Sequence, residues 1–318
     1  MSSADVAAPA APNVSQDPYP PGSSATKLRQ MLDGSSDIVV CPGVYDGFSA
    51  RIALEVGFDA LYMTGAGTTA SKLGQADLGI AQLHDMRANA EMISSLNPSV
   101  PVIADMDTGY GGPIMVARSV TQYAMSGVAG FHIEDQVQAK RCGHLQGKQL
   151  VDIETFVSRI RAAVAARQKI GSDIVVIART DALQSFGYDE SVRRLKAARD
   201  AGADVAFLEG LDSVEMGKQI VQDMAPTPVL LNMVEHGTTP TMSVKEAKEI
   251  GFRLIIWPFA ALAPAYVAIK ATMEKLKQDG VAEAPKELSP RRLFEVCGLG
   301  ESMALDKAAG GQAFEKGA

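Results

Sequence analysis

Pro101-Val-Ile-Ala-Asp-Met-Asp107 and Gly130-Phe-His-Ile-Glu-Asp135 decide how this chain is read. Each begins as a short apolar run, the pattern of a strand buried on both faces of a parallel sheet, and each runs out into two carboxylates. Carboxylates crowded past the ends of buried strands repel one another unless a cation neutralises them. Asp105, Asp107 and Glu134, with Asp77 in an earlier loop, offer hard oxygen ligands, and no cysteine or histidine pair stands at zinc spacing. That donor set points to magnesium, with manganese as the alternative. Asp-x-Asp also caps helices and turns; its place behind a buried strand favours the metal.

Outward from these two runs, similar apolar segments recur at 38–41, 60–63, 102–104, 130–133, 174–178, 205–208, 229–231 and 254–256. Segments with helical apolar spacing separate or follow them, at 46–56, 86–95, 114–125, 153–168, 189–201, 213–224, 243–250 and 260–277. Gly57, Gly202 and Gly251 stand where a helix C-terminus needs a left-handed residue. Eight strand-and-helix units predict an α/β fold, a closed (β/α)8 barrel of TIM type. A doubly wound open sheet shares the alternation, so the count of eight and the placement of polar residues decide between them. Behind the strands come Tyr45 and Asp46, Thr64 with Gly65 and Gly67, Asp105 and Asp107, Glu134, Arg179 and Asp181, Glu209, Asn232 and Glu235, and Trp257. One polar loop residue means little, because loops lie at the surface. Eight sets in succession predict an active site at the C-terminal mouth of the barrel.

The 37 acidic and 30 basic side chains give a net charge of −7, so there is no general basic field for nucleic acid or an anionic membrane. No apolar segment reaches the roughly 18 residues a membrane span requires. Small-molecule chemistry is the expectation. Residues 1–24, rich in Ala, Pro and Ser, read as a disordered tail, 25–304 as the barrel with C-terminal helices, and 305–318 as a second tail. Three widely spaced cysteines argue against a disulfide framework and for a reducing compartment, the cytoplasm, although import into an organelle by another route stays open.

Lys140-Arg-Cys-Gly-His-Leu-Gln-Gly147 forms a long polar loop after the fourth strand. Lys140, Arg141 and His144 are expected to lower the thiol pKa of Cys142. Cys41 and Cys297 read instead as small packed residues, and His132 as a side chain packed in the barrel. Gly65-Ala-Gly67 and Gly109-Tyr-Gly-Gly112 fit neither the Walker nor the dinucleotide pattern. They read as backbone held close to a substrate carboxylate. Arg179 is either a fork for an anionic oxygen or scaffolding paired with Asp181 or Glu209.

Together, Asp105-Met-Asp-Thr-Gly-Tyr-Gly-Gly112, His132-Ile-Glu-Asp135 and Lys140-Arg-Cys-Gly-His144 resemble the isocitrate lyase and phosphoenolpyruvate mutase superfamily. Ala178-Arg-Thr-Asp181 and Asn232-Met-Val-Glu235 match it as well, and the likeness covers about 28–304. The resemblance implies a (β/α)8 barrel with one C-terminal helix exchanged between subunits, usually in a homotetramer, binding Mg2+ and an α-oxycarboxylate. It implies Asp105 as the direct metal ligand, with Asp77, Asp107 and Glu134 holding metal-bound water. Thr64, Gly65 and Ala66 would cradle a substrate carboxylate beside Tyr45 and Arg179. Gly143, His144 and Asn232 would contact the remaining carboxylate, Glu209 would hold neighbouring polar groups, and Cys142 would be the acid and base on a moving lid.

The mutase branch carries Asn where this chain has Cys142, which disfavours phosphorus transfer. Within the lyase branch the pattern is similar to that of enzymes that cleave 2,3-dimethylmalate and of enzymes that hydrolyse oxaloacetate. The hydrolase pattern expects a serine after the eighth strand, where this chain has Pro258, which has no hydroxyl and would border an apolar subsite. The expectation is therefore cleavage of a 2-hydroxy dicarboxylate, 2,3-dimethylmalate, to pyruvate and propionate. Trp257 is expected to narrow the pocket. The alternatives are oxaloacetate hydrolysis, 2-methylisocitrate cleavage and, in a different class, a noncatalytic metabolite-binding barrel.

Overall fold

The computed structural model describes residues 23–34, 37–283, 285 and 288–314. All but the last two residues of the expected N-terminal tail lie outside them. The described residues fall into two compact units, one within 23–283 and one within 285–314.

In the first unit, α1 (Ser24–Gly34) precedes β1 (Val39–Val44), α2 (Gly47–Val56), β2 (Leu61–Met63), α3 (Gly65–Leu73), α4 (Leu83–Leu96), β3 (Val102–Asp105) and α5 (Pro113–Met125). There follow β4 (Gly130–Glu134), α6 (Ile153–Lys169), β5 (Val175–Thr180), α7 (Leu183–Asp200), β6 (Val205–Leu208), α8 (Val214–Met224), β7 (Val229–Asn232), α9 (Val244–Ile250), β8 (Leu254–Trp257) and α10 (Leu262–Asp279). Each strand pairs in parallel with the next and β8 returns to β1, closing the predicted barrel. In the second unit, α11 (Pro290–Val296) and α12 (Leu299–Ala308) pack on each other across Gly298, whose φ of 86° makes the turn. Helix α12 continues past the boundary expected at 304.

A two-residue period positions the site. Side chains alternate across a strand, so one set faces the barrel axis: Cys41, Tyr62, Ile103, Val175 and Ile177, Val205 and Phe207, Leu230, and Leu254 and Ile256 form a single core cluster. The alternate set, such as Met63, Ala104, Ile133 and Val176, packs outward against the helices. Continuing the inward rows by two residues leads from Ile103 to Asp105, from His132 to Glu134, from Ile177 to Arg179 and Asp181, from Phe207 to Glu209, from Leu230 to Asn232 and from Ile256 to Pro258. Strands β3, β4, β5 and β7 each extend one or two residues beyond the expected end, because the polar residue that closes the row is still in the ladder; β8 extends by Trp257.

Trp257 falls on the other phase of this period. It packs with the outer cluster around Ile255 and Val40 and is absent from the cavity at the mouth, so the expectation that it narrows the pocket is corrected. Helix α1 was not expected as an element. Its Ala25, Leu28 and Leu32 join the inward cluster at the strands' N-terminal ends, and a Cβ on Gly130 would meet Leu28 Cδ2 at 3.0 Å. The barrel is plugged from below by the leucines of α1. Helix α10 differs from the other barrel helices: none of its residues is buried, and Tyr266, Val267, Ile269, Met273 and Leu276 are exposed. No helix among the described residues is long and apolar enough to cross a membrane.

Candidate active site

Over the C-terminal mouth, a cavity of about 30 Å³ is lined by Tyr62, Thr64, Ala66, Asp77, Asp105, Cys142, Gly143, His144, Arg179, Glu209, Asn232, Val234, Pro258 and Phe259. The structure thus brings together most residues expected there from the sequence. Gly65 belongs with them through its backbone, since a Cβ on it would strike the Asp105 carboxylate. Tyr45 does not line the cavity; it stands behind α3, with Cβ 2.8 Å from where a Cβ on Gly67 would be. Asp46, also noted at the mouth, is the N-cap of α2 and accepts the Ser49 amide at 2.7 Å. Gly65-Ala-Gly67 is the first turn of α3, capped by Thr64, whose side chain accepts the Gly67 amide. First-turn amides lack intrahelical acceptors and favour an anion, which fits a carboxylate cradle. Pro258 reaches the cavity because β1 has Gly43 beneath it, where any Cβ would meet the Pro258 carbonyl oxygen at 2.5 Å.

Four acids crowd the mouth beside β3 and β4. The Asp107 amide donates to Asp105 Oδ1 at 2.9 Å, with Asp107 held at φ 46°. Burial pushes the carboxyl of Asp105 up, pushes Asp107 up to about 7 and raises Glu134 well above the usual range, in each case against the pull of Lys140. Lys140, named in the sequence only as a neighbour of the thiol, turns inward. Its ammonium lies 2.7 Å from Asp77 Oδ1 and 2.5 Å from Asp107 Oδ1. Burial opposes its charge, but Asp107, Glu134, Asp77 and Asp105 outweigh that and hold the ammonium well above its usual range.

The fit to a divalent cation rests on this charge. Six carboxylates (Asp77, Asp105, Asp107, Glu134, Asp181 and Glu209) face three permanent cations, Lys140, Lys148 and Arg179. Burial is the first cause of the raised Asp105, Asp107 and Glu134, and neighbouring carboxylates add to it: Asp77 at Asp105, Asp105 and Asp77 at Asp107, and Asp181 and Asp107 at Glu134. Among the described residues no three His, Cys, Asp or Glu groups form a ready cage. The arrangement suits an ion taking one direct carboxylate and several waters, as Mg2+ does.

Arg179 resolves toward both of its alternatives. It lines the cavity, yet Nε and Nη2 bond Asp181 at 2.9 and 3.0 Å, Nε lies 3.3 Å from Glu134 and Nη2 lies 3.4 Å from Glu209. Its guanidinium also sits 5.2 Å from the centre of the Phe207 ring. Burial would raise Asp181, but Arg179 and Lys148 override it and hold that carboxyl below its usual range. His132 is packed as expected, 2.8 Å from Tyr62 Oη and against the Phe207 ring, with burial keeping it neutral.

The loop from Gln138 to Lys148 folds over this assembly. An isolated bridge between Gln136 and Leu150, with the Val137 amide donating to the Gln149 carbonyl, pins its neck. At its tip the Cys142 amide donates to the Asp77 carbonyl at 3.0 Å. Gly143 admits no side chain, because a Cβ would strike Arg179 Nη2 and approach Glu209 Cγ at 2.8 Å. Both ring nitrogens of His144 and Oδ1 of Asn232 are buried without a hydrogen-bond partner, while Asn232 Nδ2 donates to Glu209 at 3.0 Å. Unsatisfied buried polar atoms are rare and call for a partner; here they belong to two residues that line the cavity, with His144 Nε2 3.8 Å from Glu209 Oε1.

The expectation of a lowered Cys142 pKa is corrected. Burial, with the Asp77 charge, pushes the thiol up to about 11. Arg179 and Lys140 pull it down but are outweighed; Lys140 is bonded into the acids, and Arg141 Nη1 donates to the Gln146 carbonyl. Tyr62, Val234 and Phe259 were also missed. Tyr62 and Val234 each lie two residues from a predicted site residue, Thr64 and Asn232, so the inward period would have found them.

The family model for phosphoenolpyruvate phosphomutase matches residues 28–277. The chain is 41% identical to 2,3-dimethylmalate lyase of Eubacterium barkeri over 251 residues, 79% of this chain and 84% of that protein. Among solved structures, a 2,3-dimethylmalate lyase is 67% identical with a TM-score of 0.92, covering 94% of this chain and 99% of its own. Oxaloacetate acetylhydrolase in complex with the inhibitor 3,3-difluorooxalacetate is 59% identical with a TM-score of 0.91, covering 92% and 99%. Barrel, mouth and sequence agree: the chain belongs to the phosphoenolpyruvate mutase/isocitrate lyase superfamily.

Proposed function

We propose that this chain is a divalent-metal-dependent carbon–carbon lyase that cleaves a 2-hydroxy dicarboxylate, 2,3-dimethylmalate, to pyruvate and propionate. The observation that carries the reading is the composition of one cavity wall. Cys142, His144, Arg179 and Asn232 share it with Val234, Pro258 and Phe259, so groups for carboxylates and a proton donor stand beside apolar surface for methyl groups.

Asp105 would be the direct ligand of Mg2+ or Mn2+, with Asp77, Asp107 and Glu134 holding its outer sphere; the ion supplies positive charge beside the substrate oxygen that becomes the ketone. The first turn of α3 at Thr64, Gly65 and Ala66 receives one carboxylate, beside Arg179 and with Tyr45 behind. Gly143, His144 and Asn232 receive the other, and Glu209 orients Asn232. As the 2-hydroxyl passes its proton to a neighbouring carboxylate of the mouth and the C2–C3 bond breaks, the electron pair of that bond goes to C3 and C2 becomes the carbonyl carbon of pyruvate. The Cys142 thiol then protonates C3, giving propionate. A thiol pushed up to about 11 stays protonated at neutral pH and is suited to donate. Such positioned proton transfer typically contributes ~10² to 10⁴-fold. The loop from Gln138 to Lys148 acts as a lid that excludes water from the carbanion.

Oxaloacetate hydrolysis is the second reading, supported by the likeness to the acetylhydrolase and opposed by Pro258, which has no hydroxyl to hold a hydrated ketone. A tricarboxylate such as 2-methylisocitrate needs a further cation, and among the described lining residues Arg179 alone carries a permanent positive charge. The uncovered apolar face of α10 supports exchange of that helix between subunits of a homotetramer, testable by light scattering, and the cysteine usage supports a cytoplasmic enzyme. A panel of 2-hydroxy and 2-oxo diacids assayed with Mg2+ tests the substrate. The 2,3-dimethylmalate specificity constant is expected to lead; oxaloacetate in first place replaces this reading with hydrolysis, and no turnover of any diacid leaves a binding barrel.

A further inference from the structure

Lys148 closes the Gln138–Lys148 loop and is nearly as buried as the core, at 6% exposure. A lysine in that position requires partners for its charge, and it has two. Nζ donates to Asp181 Oδ1 at 2.8 Å and to the Gly143 carbonyl at 2.8 Å. The two partners belong to different parts of the chain, one at the end of β5 and one on the covering loop. Asp181 is fixed: its amide donates to Asp135 Oδ1 at 2.9 Å, the Thr180 hydroxyl donates to Asp135 Oδ2 at 2.6 Å, and Arg179 forks onto its carboxylate. Arg194 pins Asp135 in turn at 3.0 Å. Gly143 is at the loop tip, between the Cys142 thiol and the His144 imidazole. Lys148 itself stands beside the neck, where Gln149 is bonded to Val137, and Gly147, at φ 74°, makes the turn between neck and tip. The ammonium can therefore keep Asp181 while it gains or loses Gly143.

We infer that Lys148 is a positioning residue, a latch anchored on Asp181 that draws the Gly143 carbonyl down and so holds Cys142 and His144 over the cavity. The inference rests on the lid role given to this loop above, but not on the substrate or on the proton-donor role. One charge-assisted hydrogen bond to the tip is worth about a tenfold shift in the open population.

The test is the rate of iodoacetamide alkylation of Cys142 in a Cys297→Ser background, with buried Cys41 as an internal reporter of global unfolding. Lys148→Met is expected to raise the Cys142 rate about tenfold and leave Cys41 unreactive, and Lys148→Arg is expected to restore most of the protection. Loss of a nearby cation lowers the thiolate fraction and by itself slows alkylation, so a faster reaction reports opening. An unchanged Cys142 rate in Lys148→Met overturns the latch, as does a rise matched by Cys41, which assigns Lys148 to general stability. Failure of turnover with every diacid while the Cys142 rate responds as expected rejects the proposed reaction and keeps the latch.

Discussion

The two ends of the barrel are built from the same strands in the same phase and have opposite chemistry. At the N-terminal end the inward rows begin with Val39, Val175, Val205 and Leu254, and α1 drives Leu28 and Leu32 among them. At the C-terminal end the inward rows of β3, β4, β5 and β7 finish in Asp105, Glu134, Arg179 and Asn232, where burial raises carboxyls and a folded loop supplies the covering side chains. The lower end gains stability from apolar area; the upper end holds unsatisfied and like-charged groups that cost stability and make a site. The pattern teaches that position along a strand, more than the strand's own composition, separates scaffold from chemistry in this chain.

Metal removal gives the largest expected effect and acts only on the upper end. Stripping divalent ions with a chelator is expected to lower turnover about 10³-fold, the several kcal/mol a Lewis acid supplies, and Mg2+ is expected to restore it; full activity in the chelated enzyme breaks the charge argument. Leu28→Ala acts only on the lower end. It is expected to cost about 2–5 kcal/mol of stability, read by denaturant unfolding, with specificity constants unchanged; a selective loss of activity without loss of stability shows that the ends are not independent.

The barrel was legible because a buried parallel strand is a plain apolar run, and because its terminal polar residue is fixed by the two-residue period. Asp105, Glu134, Arg179, Glu209 and Asn232 follow from that alone. Helix α3 was not legible as a helix, since Gly65-Ala-Gly67-Thr-Thr has weak helical propensity and its capping by Thr64 looks like a loop. The inward turn of Lys140, the latch at Lys148 and the link from Gln136 to Glu134 and to the Arg141 carbonyl depend on how the loop folds back. No periodicity encodes that. The same blindness produced the wrong direction for Cys142: Lys140 and Arg179 do pull the thiol down, but its burial and the Asp77 charge, which the sequence does not display, outweigh them.

Two smaller effects sharpen the contrast within the upper end. Gly143→Ala places a methyl against Arg179 and Glu209, so the tip cannot settle and kcat/KM is expected to fall about 10²-fold, as for a ~1 Å misplacement. Its thermal unfolding is expected to match the parent protein, because the affected backbone is a loop tip. Pro258→Ser is expected to raise oxaloacetate hydrolysis a few-fold, the ~1 kcal/mol of one neutral hydrogen bond, measured as oxalate released; no gain removes Pro258 as the selector.

The central claim is that one thiol on the covering loop completes a metal-assisted cleavage at the barrel mouth. The direct measurement pairs oxalate calorimetry in the presence and absence of Mg2+ with 2,3-dimethylmalate turnover for Cys142→Ala. Mg2+-dependent oxalate binding close to that of the parent protein, with turnover reduced at least ~10²-fold, is the predicted result. Turnover within about tenfold of the parent protein would contradict the account, since that residual rate leaves no proton-transfer contribution of the expected size for Cys142 to make.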